Sequence, residues 1–291
     1  MFSGNQSFQL FSDGSSFLED SSTSSAEASA APPPPPVEVF PANVSLPVKY
    51  TIEPVDFDGL TLLKGRVSTK EVFGLPSSDL VPHVYEGGLK LWEGSLDLVR
   101  TLQSEIKTNN LSFTGRRVLE LGCGHGLPGI LASLEGATSV HFQDFNAEVL
   151  QNLTILNTNA NISNRKVESN GKSTDHRYFS GCWSQVHKLL PFIRNDSNEA
   201  QNQTGYDIIL TAETIYSISS QNILYELIKK CMSIPHGVAY LAAKRYYFGV
   251  GGGTQQFLSI VEEDGFMVAC LVAEVSDGIS NVREVWKLSV K

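Results

Sequence analysis

The sequence has no stretch of about eighteen consecutive apolar residues, the length a helix needs to cross a bilayer, so we expect no membrane span. Its N-terminus has no basic start followed by a long apolar run, and no secretory signal is predicted. The cysteines are few and far apart, and none forms a CxxC pair: Cys123, Cys182, Cys231 and Cys270. Widely spaced cysteines favour free thiols in a reducing setting, the cytoplasm or the nucleus.

Two further absences limit the kind of partner. None of the six histidines stands at zinc-ligand spacing from a cysteine or another histidine, so we expect no metal site. Residues 1–47 contain no lysine or arginine and carry −5 of the net charge of −9. A nucleic-acid binder needs clustered basic side chains to replace phosphate counterions, so direct nucleic-acid binding is not expected. An acidic protein is better suited to a basic protein partner.

The chain divides into three regions by composition. Residues 1–36 are rich in serine, alanine and proline, cannot bury enough apolar surface, and are predicted to be a disordered tail. Residues 37–83 are a mixed extension in which short strands and turns are expected. Residues 84–291 alternate strand and helix patterns and end in two consecutive strand patterns, which predicts an α/β domain with a mostly parallel sheet.

A glycine-rich turn follows the first buried strand of this domain, in "VLELGCGHGLPG". Such a turn lets backbone approach a ligand and directs helix N-terminal amides toward it. Gly124, Gly126 and Gly129 match the dinucleotide pattern GxGxxG, but the pattern fails when counted from the first glycine, Gly122. Reading from Glu120 gives E-x-G-x-G-x-G, which resembles motif I of S-adenosylmethionine-dependent methyltransferases.

Asp144 ends the next strand, twenty residues after Gly124. A carboxylate there is placed to accept hydrogen bonds from both hydroxyls of a ribose. Nicotinamide dinucleotide enzymes share this requirement, so Asp144 indicates nucleoside binding without choosing the cofactor. The two C-terminal strands favour the methyltransferase interpretation, because the sheet of that family ends with an antiparallel strand.

Further stretches resemble the protein-histidine N-methyltransferases, relatives of the non-histone protein-lysine methyltransferases. They are "YEGGLKLWEGSLDL", "QDFN", "FSGCW", "LTAETIY" and "YYFGVGGGTQQF". The resemblance covers residues 85–291 and implies a Rossmann-like class I methyltransferase fold. In that fold a seven-stranded, mostly parallel sheet with one antiparallel strand carries helices on both faces.

The resemblance also implies a set of site residues. Those implied to bind S-adenosylmethionine are Leu91, Trp92, Glu93, Gly94, Glu120, Gly122, Gly124, Gln143, Asp144, Asn146, Gly181, Cys182, Trp183 and Ala212. Cys182 departs from the family, which often has an acid there to accept from the adenine amino group. Glu213 and Tyr216 match a (D/E)xxY motif and are the expected catalytic pair.

The expected reaction is transfer of a methyl group to a ring nitrogen of a protein histidine, most readily the nitrogen far from the backbone. The resemblance implies large ribosomal subunit protein three as the acceptor. A lysine acceptor and a catalytically silent cofactor-binding module are the alternatives, and the residues alone do not choose between histidine and lysine. A monomer in the cytoplasm and nucleus is expected.

Overall fold

The computed structural model describes residues 35–43, 48–75, 79–163, 173–194, 205–276, 278 and 281–291. Residues 33–291 belong to one compact unit. The predicted disordered tail, except for its last two prolines, lies outside the described residues, and its disorder stays a prediction.

Ten strands and eight helices are described. The strands are β1 (Val37–Val39), β2 (Thr51–Phe57), β3 (Leu60–Arg66), β4 (Arg117–Leu121), β5 (Ser139–Asp144), β6 (Asp175–Ser180), β7 (Ile208–Ala212), β8 (Val238–Lys244), β9 (Met267–Val275) and β10 (Arg283–Val290). The helices are α1 (Thr69–Phe73), α2 (Glu93–Lys107), α3 (Leu127–Leu134), α4 (Ala147–Val149), α5 (Ile155–Ile162), α6 (Trp183–Val186), α7 (Ile218–Cys231) and α8 (Thr254–Asp264). A π-helical segment, Leu150–Thr154, joins α4 to α5, and Pro41–Asn43 form a 3-10 turn. No described helix has both the length and the apolar character that crossing a bilayer requires.

One mixed sheet has the order β1-β6-β5-β4-β7-β8-β10-β9. Strands β4 to β8 run parallel, while β10 pairs antiparallel with both β8 and β9. The predicted α/β class is therefore confirmed, with the expected antiparallel strand near one edge. Strand β1 adds an eighth strand, antiparallel to β6, that the sequence pattern does not single out. Val39 is buried there, and the Glu38 carboxylate accepts two hydrogen bonds from Arg177, at 2.7 and 2.8 Å.

Helices cover both faces of the sheet because its central strands are apolar on both sides. In β4, Val118 belongs to the core beneath α2 and α3, and its neighbour Leu119 belongs to the core beneath α6, α7 and α8. From β4 the chain passes first to β5 on one side and later to β7 on the other. This reversal opens a cleft at the carboxyl ends of β4 and β7, where α/β folds bind their ligands.

The hairpin of β2 and β3 lies outside the main sheet and is held by amide side chains of α5. The Asn161 side chain accepts from the Leu63 N–H at 2.8 Å and donates to the Leu63 carbonyl at 2.7 Å. Asn157 Oδ1 accepts from the Gly65 N–H at 2.6 Å, and its Nδ2 donates to the His125 carbonyl at 2.9 Å. These side-chain amides hydrogen-bond to the backbone of β3 as a neighbouring strand would. They also connect the hairpin to the glycine turn.

We predict that Asn157→Ala destabilises the fold by about 2–4 kcal/mol, because buried backbone groups of Gly65 and His125 lose their partners. Urea unfolding of the variant measures the loss. Asn159→Ala, an exposed position on the same helix, is the matched control and should change the free energy of unfolding little. Equal stability of the two variants would contradict this role of Asn157.

Candidate functional site

A cavity of about 610 Å³ opens at the carboxyl ends of β4, β5, β6 and β7. Its volume is in the range of small-molecule sites. Most of the predicted site residues line it: Leu91, Trp92, Glu120, Gly122, Gly124, Asp144, Gly181, Cys182, Trp183, Ala212, Glu213 and Tyr216. The fold thus brings together segments that are far apart in the chain.

The glycine turn contributes two residues without side chains, Gly122 and Gly124, to the lining of the cavity. Gly124 has φ 48°, in the left-handed region that favours glycine, and its N–H donates to Asp144 Oδ2 at 3.0 Å. A Cβ atom at Gly124 would lie 3.0 Å from the carbonyl oxygen of Gly88. Glycine is therefore required at position 124 for two reasons. It allows the backbone angle, and it allows the close approach of Tyr85–Gly88, the "YEGG" segment.

Asp144 lies at the end of β5 with its carboxylate buried beside the cavity. Its two oxygens accept from the N–H groups of Gly124, at 3.0 Å, and Asn146, at 3.1 Å. Burial raises the pKa of Asp144 to about 6, and the charge of Glu86 adds to this rise. Each oxygen keeps a second lone pair, so the carboxylate is able to accept hydrogen bonds from hydroxyl groups of a ligand.

Gln143, also predicted in the cofactor-binding segment, is fully buried behind the cavity wall. Its Nε2 donates to the Gly181 carbonyl at 2.9 Å, and its Oε1 accepts from Trp183 Nε1 at 2.9 Å and from the Gly122 N–H at 3.3 Å. The side chain thereby fixes three residues that do line the cavity.

Three more predicted residues, Glu93, Gly94 and Asn146, are also absent from the cavity lining. Asn146 Nδ2 donates to the Val84 carbonyl at 2.8 Å, which holds the "YEGG" segment in place. Glu93 Oε2 lies 3.9 Å from Lys244 Nζ. These contacts are with the protein, as is that of Gly94, whose N–H donates to Glu213.

Glu213 follows β7 with φ 59°, an uncommon backbone angle for a residue with a side chain. One carboxylate oxygen accepts from the Gly94 N–H at 3.1 Å, and the other accepts from the Tyr247 hydroxyl at 2.5 Å. Burial raises the pKa of Glu213. The carboxylate therefore joins the start of α2 to the loop after β8, and its role toward an acceptor stays a prediction.

Tyr216 lines the cavity, and its hydroxyl donates to Glu86 Oε2. Burial raises the pKa of Tyr216, and the bond to Glu86 raises it further, so the hydroxyl stays protonated. Glu86 is a cavity residue absent from the predicted set. The available signal was its place directly before the two glycines of "YEGG".

Two other wall residues have distinct chemistry. Glu120 Oε2 accepts from the Gly129 N–H at 2.8 Å, and burial raises the pKa of Glu120 to about 8. The Cys182 thiol lies 3.1 Å from the Ser184 hydroxyl. In the described part of the chain, no group of three or more histidine, cysteine or acidic side chains is arranged to hold a metal ion.

Comparison with known proteins gives a family and a fold. The profile of a family described as lysine methyltransferase matches residues 83–264. A histidine protein methyltransferase 1 homolog of Dictyostelium discoideum is 42% identical over 75% of this chain and 62% of its own length. The Mus musculus homolog of the same name is 40% identical over 69% of this chain and 57% of its own length, so the chain spans about three fifths of these relatives. A candidate S-adenosylmethionine-dependent methyltransferase from Streptococcus mutans, 12% identical, matches the fold with a TM-score of 0.51 over 82% of this chain and 55% of that one.

Glu120 makes the stability depend on pH in a way that can be measured. Between its ordinary pKa of 4.5 and its folded pKa of about 8, the folded chain holds a proton that the unfolded chain releases. Its contribution to the free energy of unfolding therefore falls as pH rises through that window, by at most about 1.4 kcal/mol per pH unit.

We predict that Glu120→Gln, which keeps an acceptor for the Gly129 N–H, flattens this decline in urea unfolding measured across the window. Glu135→Gln, at an exposed glutamate just after α3, is the control and should follow the wild type. The prediction is wrong if wild type and Glu120→Gln show the same pH dependence.

Proposed function

Since the chain belongs to the lysine methyltransferase family that matches residues 83–264, we propose that it is a protein methyltransferase whose acceptor is histidine. The observation that carries the proposal is the 42% identity, over 75% of this chain, to a relative named as a histidine protein methyltransferase. The family description names lysine, so lysine is the competing acceptor.

S-adenosylmethionine is the proposed methyl donor, and the residues of the cavity suit it. When bound, it supplies a methyl group made electrophilic by a sulfonium. The side-chain-free turn at Gly122 and Gly124 leaves room for the methionine part, with Glu120 beside it. Asp144 is proposed to accept from the ribose hydroxyls, and Trp183 to lie against the adenine.

A histidine acceptor makes a smaller chemical demand on the residues of the cavity wall than a lysine acceptor does. A histidine ring is largely neutral at pH 7 and has a free lone pair, whereas a lysine must first lose a proton against a pKa near ~10.4. The carboxylate of Glu213 is engaged by Gly94 and Tyr247, and the hydroxyl of Tyr216 stays protonated. A neutral histidine requires neither of these groups to remove a proton before methyl transfer.

The protein substrate is proposed to contact an apolar rim beside the cavity, formed by Tyr246, Phe248 and Val250. All three side chains are exposed, Phe248 to 83%, and Val250 also lines the cavity. Exposed apolar groups at a cavity mouth are a common feature of protein-binding surfaces. The net charge of −9 suits a basic substrate.

The finer parts of the proposal follow from the family resemblance. The methylated atom is the ring nitrogen far from the backbone, and the substrate is a basic ribosomal protein, large ribosomal subunit protein three. The enzyme acts as a monomer in the cytoplasm and nucleus and does not bind nucleic acid directly. A silent cofactor-binding module remains the alternative of a different class.

We predict that Asp144→Ala weakens S-adenosylhomocysteine binding at least about tenfold. Two ribose hydroxyls lose a charged acceptor, and each such hydrogen bond contributes about 1.5–3 kcal/mol. Calorimetry compares the variant with the wild type and with Glu148→Ala, a control at an exposed acid on α4. Affinity within twofold of the wild type would remove Asp144 from the ribose site.

We expect labelled S-adenosylmethionine to methylate a histidine when the protein is incubated with a ribosomal protein mixture. Hydrolysis and amino-acid analysis of the labelled protein then give methylhistidine substituted on the far nitrogen, and Asp144→Ala abolishes most of the label. Methyl-lysine as the product would establish the lysine alternative. Absence of label, with the donor bound, would support the silent module.

A further inference from the structure

Four carboxyl groups line the described part of the cavity: those of Glu86, Glu120, Asp144 and Glu213. Three of them are buried, with 3% of Glu120, 4% of Asp144 and 8% of Glu213 exposed. Glu86 is the partly exposed member of the set. It is therefore the member of the set that is most accessible from solvent.

The three buried carboxylates are held by the protein through backbone N–H groups: those of Gly129, Gly124, Asn146 and Gly94. Glu86, like Glu213, is held by one backbone N–H group and one tyrosine hydroxyl. Its Oε1 accepts from the His83 N–H at 2.8 Å, and its Oε2 accepts from the hydroxyl of Tyr216. Its own N–H donates to Asn146 Oδ1 at 3.2 Å. The hydrogen bond from Tyr216 thus fixes this carboxylate in position, although the two residues are 130 positions apart in the sequence.

Among the residues that the structure describes, the carboxylate of Glu86 has no paired cation. Within the described ranges, no lysine, arginine or histidine side chain forms an ion pair with it. Its nearest polar partners, a backbone N–H and a protonated hydroxyl, are neutral donors. A carboxylate in this state attracts an N–H group on which positive charge develops.

We propose that Glu86, held by Tyr216, accepts a hydrogen bond from the N–H of the acceptor imidazole while the opposite ring nitrogen takes the methyl group. The proposal rests on the histidine acceptor proposed above. The bond between the ring nitrogen and the methyl carbon forms as the carbon–sulfur bond of the donor breaks, and that electron pair stays on sulfur. The ring becomes an imidazolium ion, and its N–H proton passes to Glu86 and then to solvent.

This role has two physical effects. An N–H bond to Glu86 selects the tautomer whose far nitrogen carries the lone pair, which directs methylation to that atom. The negative charge also stabilises the positive charge that appears on the ring during transfer, so it acts more strongly on the transition state than on the neutral ring. Tyr216 fixes the carboxylate, and His83 supports it through its N–H.

The test compares full-length wild type, Glu86→Gln and Asp79→Asn. Glutamine keeps an acceptor for Tyr216 but removes the charge. Asp79 is an exposed acid of the same segment, paired with Lys90, and serves as the matched control. Each protein is saturated with S-adenosylhomocysteine and with a synthetic peptide that has one ¹³C-labelled histidine among lysines and arginines. The pKa of that imidazole is then measured by NMR titration.

We expect the imidazole pKa in the complex to be lower in Glu86→Gln than in the wild type by about one pH unit, because an opposite charge favours the protonated ring. Asp79→Asn should match the wild type. Turnover should fall at least about tenfold in Glu86→Gln with S-adenosylhomocysteine affinity unchanged. Equal imidazole pKa values in wild type and Glu86→Gln would overturn the proposal.

A second variant distinguishes the loss of the Glu86 charge from a folding defect. Tyr216→Phe keeps the charge of Glu86 but removes the hydroxyl that positions it, and should lower turnover while leaving the imidazole pKa near that of the wild type. Turnover unchanged in both variants overturns the role of Glu86. If the wild type itself methylates no histidine while binding the donor, the proposed function fails, and Glu86 has no imidazole to orient.

Discussion

The binding cavity depends on one buried amide, the side chain of Gln143. Its three hydrogen bonds join the end of β4 at Gly122, the end of β6 at Gly181 and the indole of Trp183. Parallel strands alone bring these segments to the same edge, but they do not fix the distances between them. Because the amide is fully buried, water does not compete for these bonds. The shape of one half of the cavity is therefore set by a side chain that does not touch its interior.

The other half of the cavity is assembled around Glu213. Its carboxylate links the N-terminus of α2, through Gly94, to the loop after β8, through Tyr247. A Cβ atom at Gly94 would lie only 2.6 Å from the Glu213 carboxylate, so a side chain there would displace the carboxylate from its present position. The segment before α2 is in turn held at Glu86 by Tyr216. Three distant parts of the chain thus meet through two glutamate–tyrosine pairs.

The sequence predicts the parts of this arrangement that are local. The glycine turn and Asp144 each follow a buried strand, so their place at the sheet edge can be inferred from pattern alone. The sequence does not reveal that the Gln143 side chain points away from the cavity while the Asp144 side chain points into it. The direction of each side chain depends on the pleat of β5. The hydrogen bonds from Tyr216 to Glu86 and from Gly94 to Glu213 each join residues more than a hundred positions apart, for which a single sequence carries no local signal. Strand β1 is not predicted, because three residues are too few to show the alternation of apolar and polar side chains that marks a strand.

The anchoring of Tyr247 leaves its neighbours Tyr246 and Phe248 in water, next to the exposed Val250. A soluble protein tolerates such a patch at a cost in colloidal stability, since two copies in concentrated solution can bury these side chains against each other. The rim proposed to receive a protein substrate is therefore also an apolar surface through which two copies of the free protein can associate. Bound substrate would cover this rim. The protein should therefore self-associate less when more of its sites hold substrate.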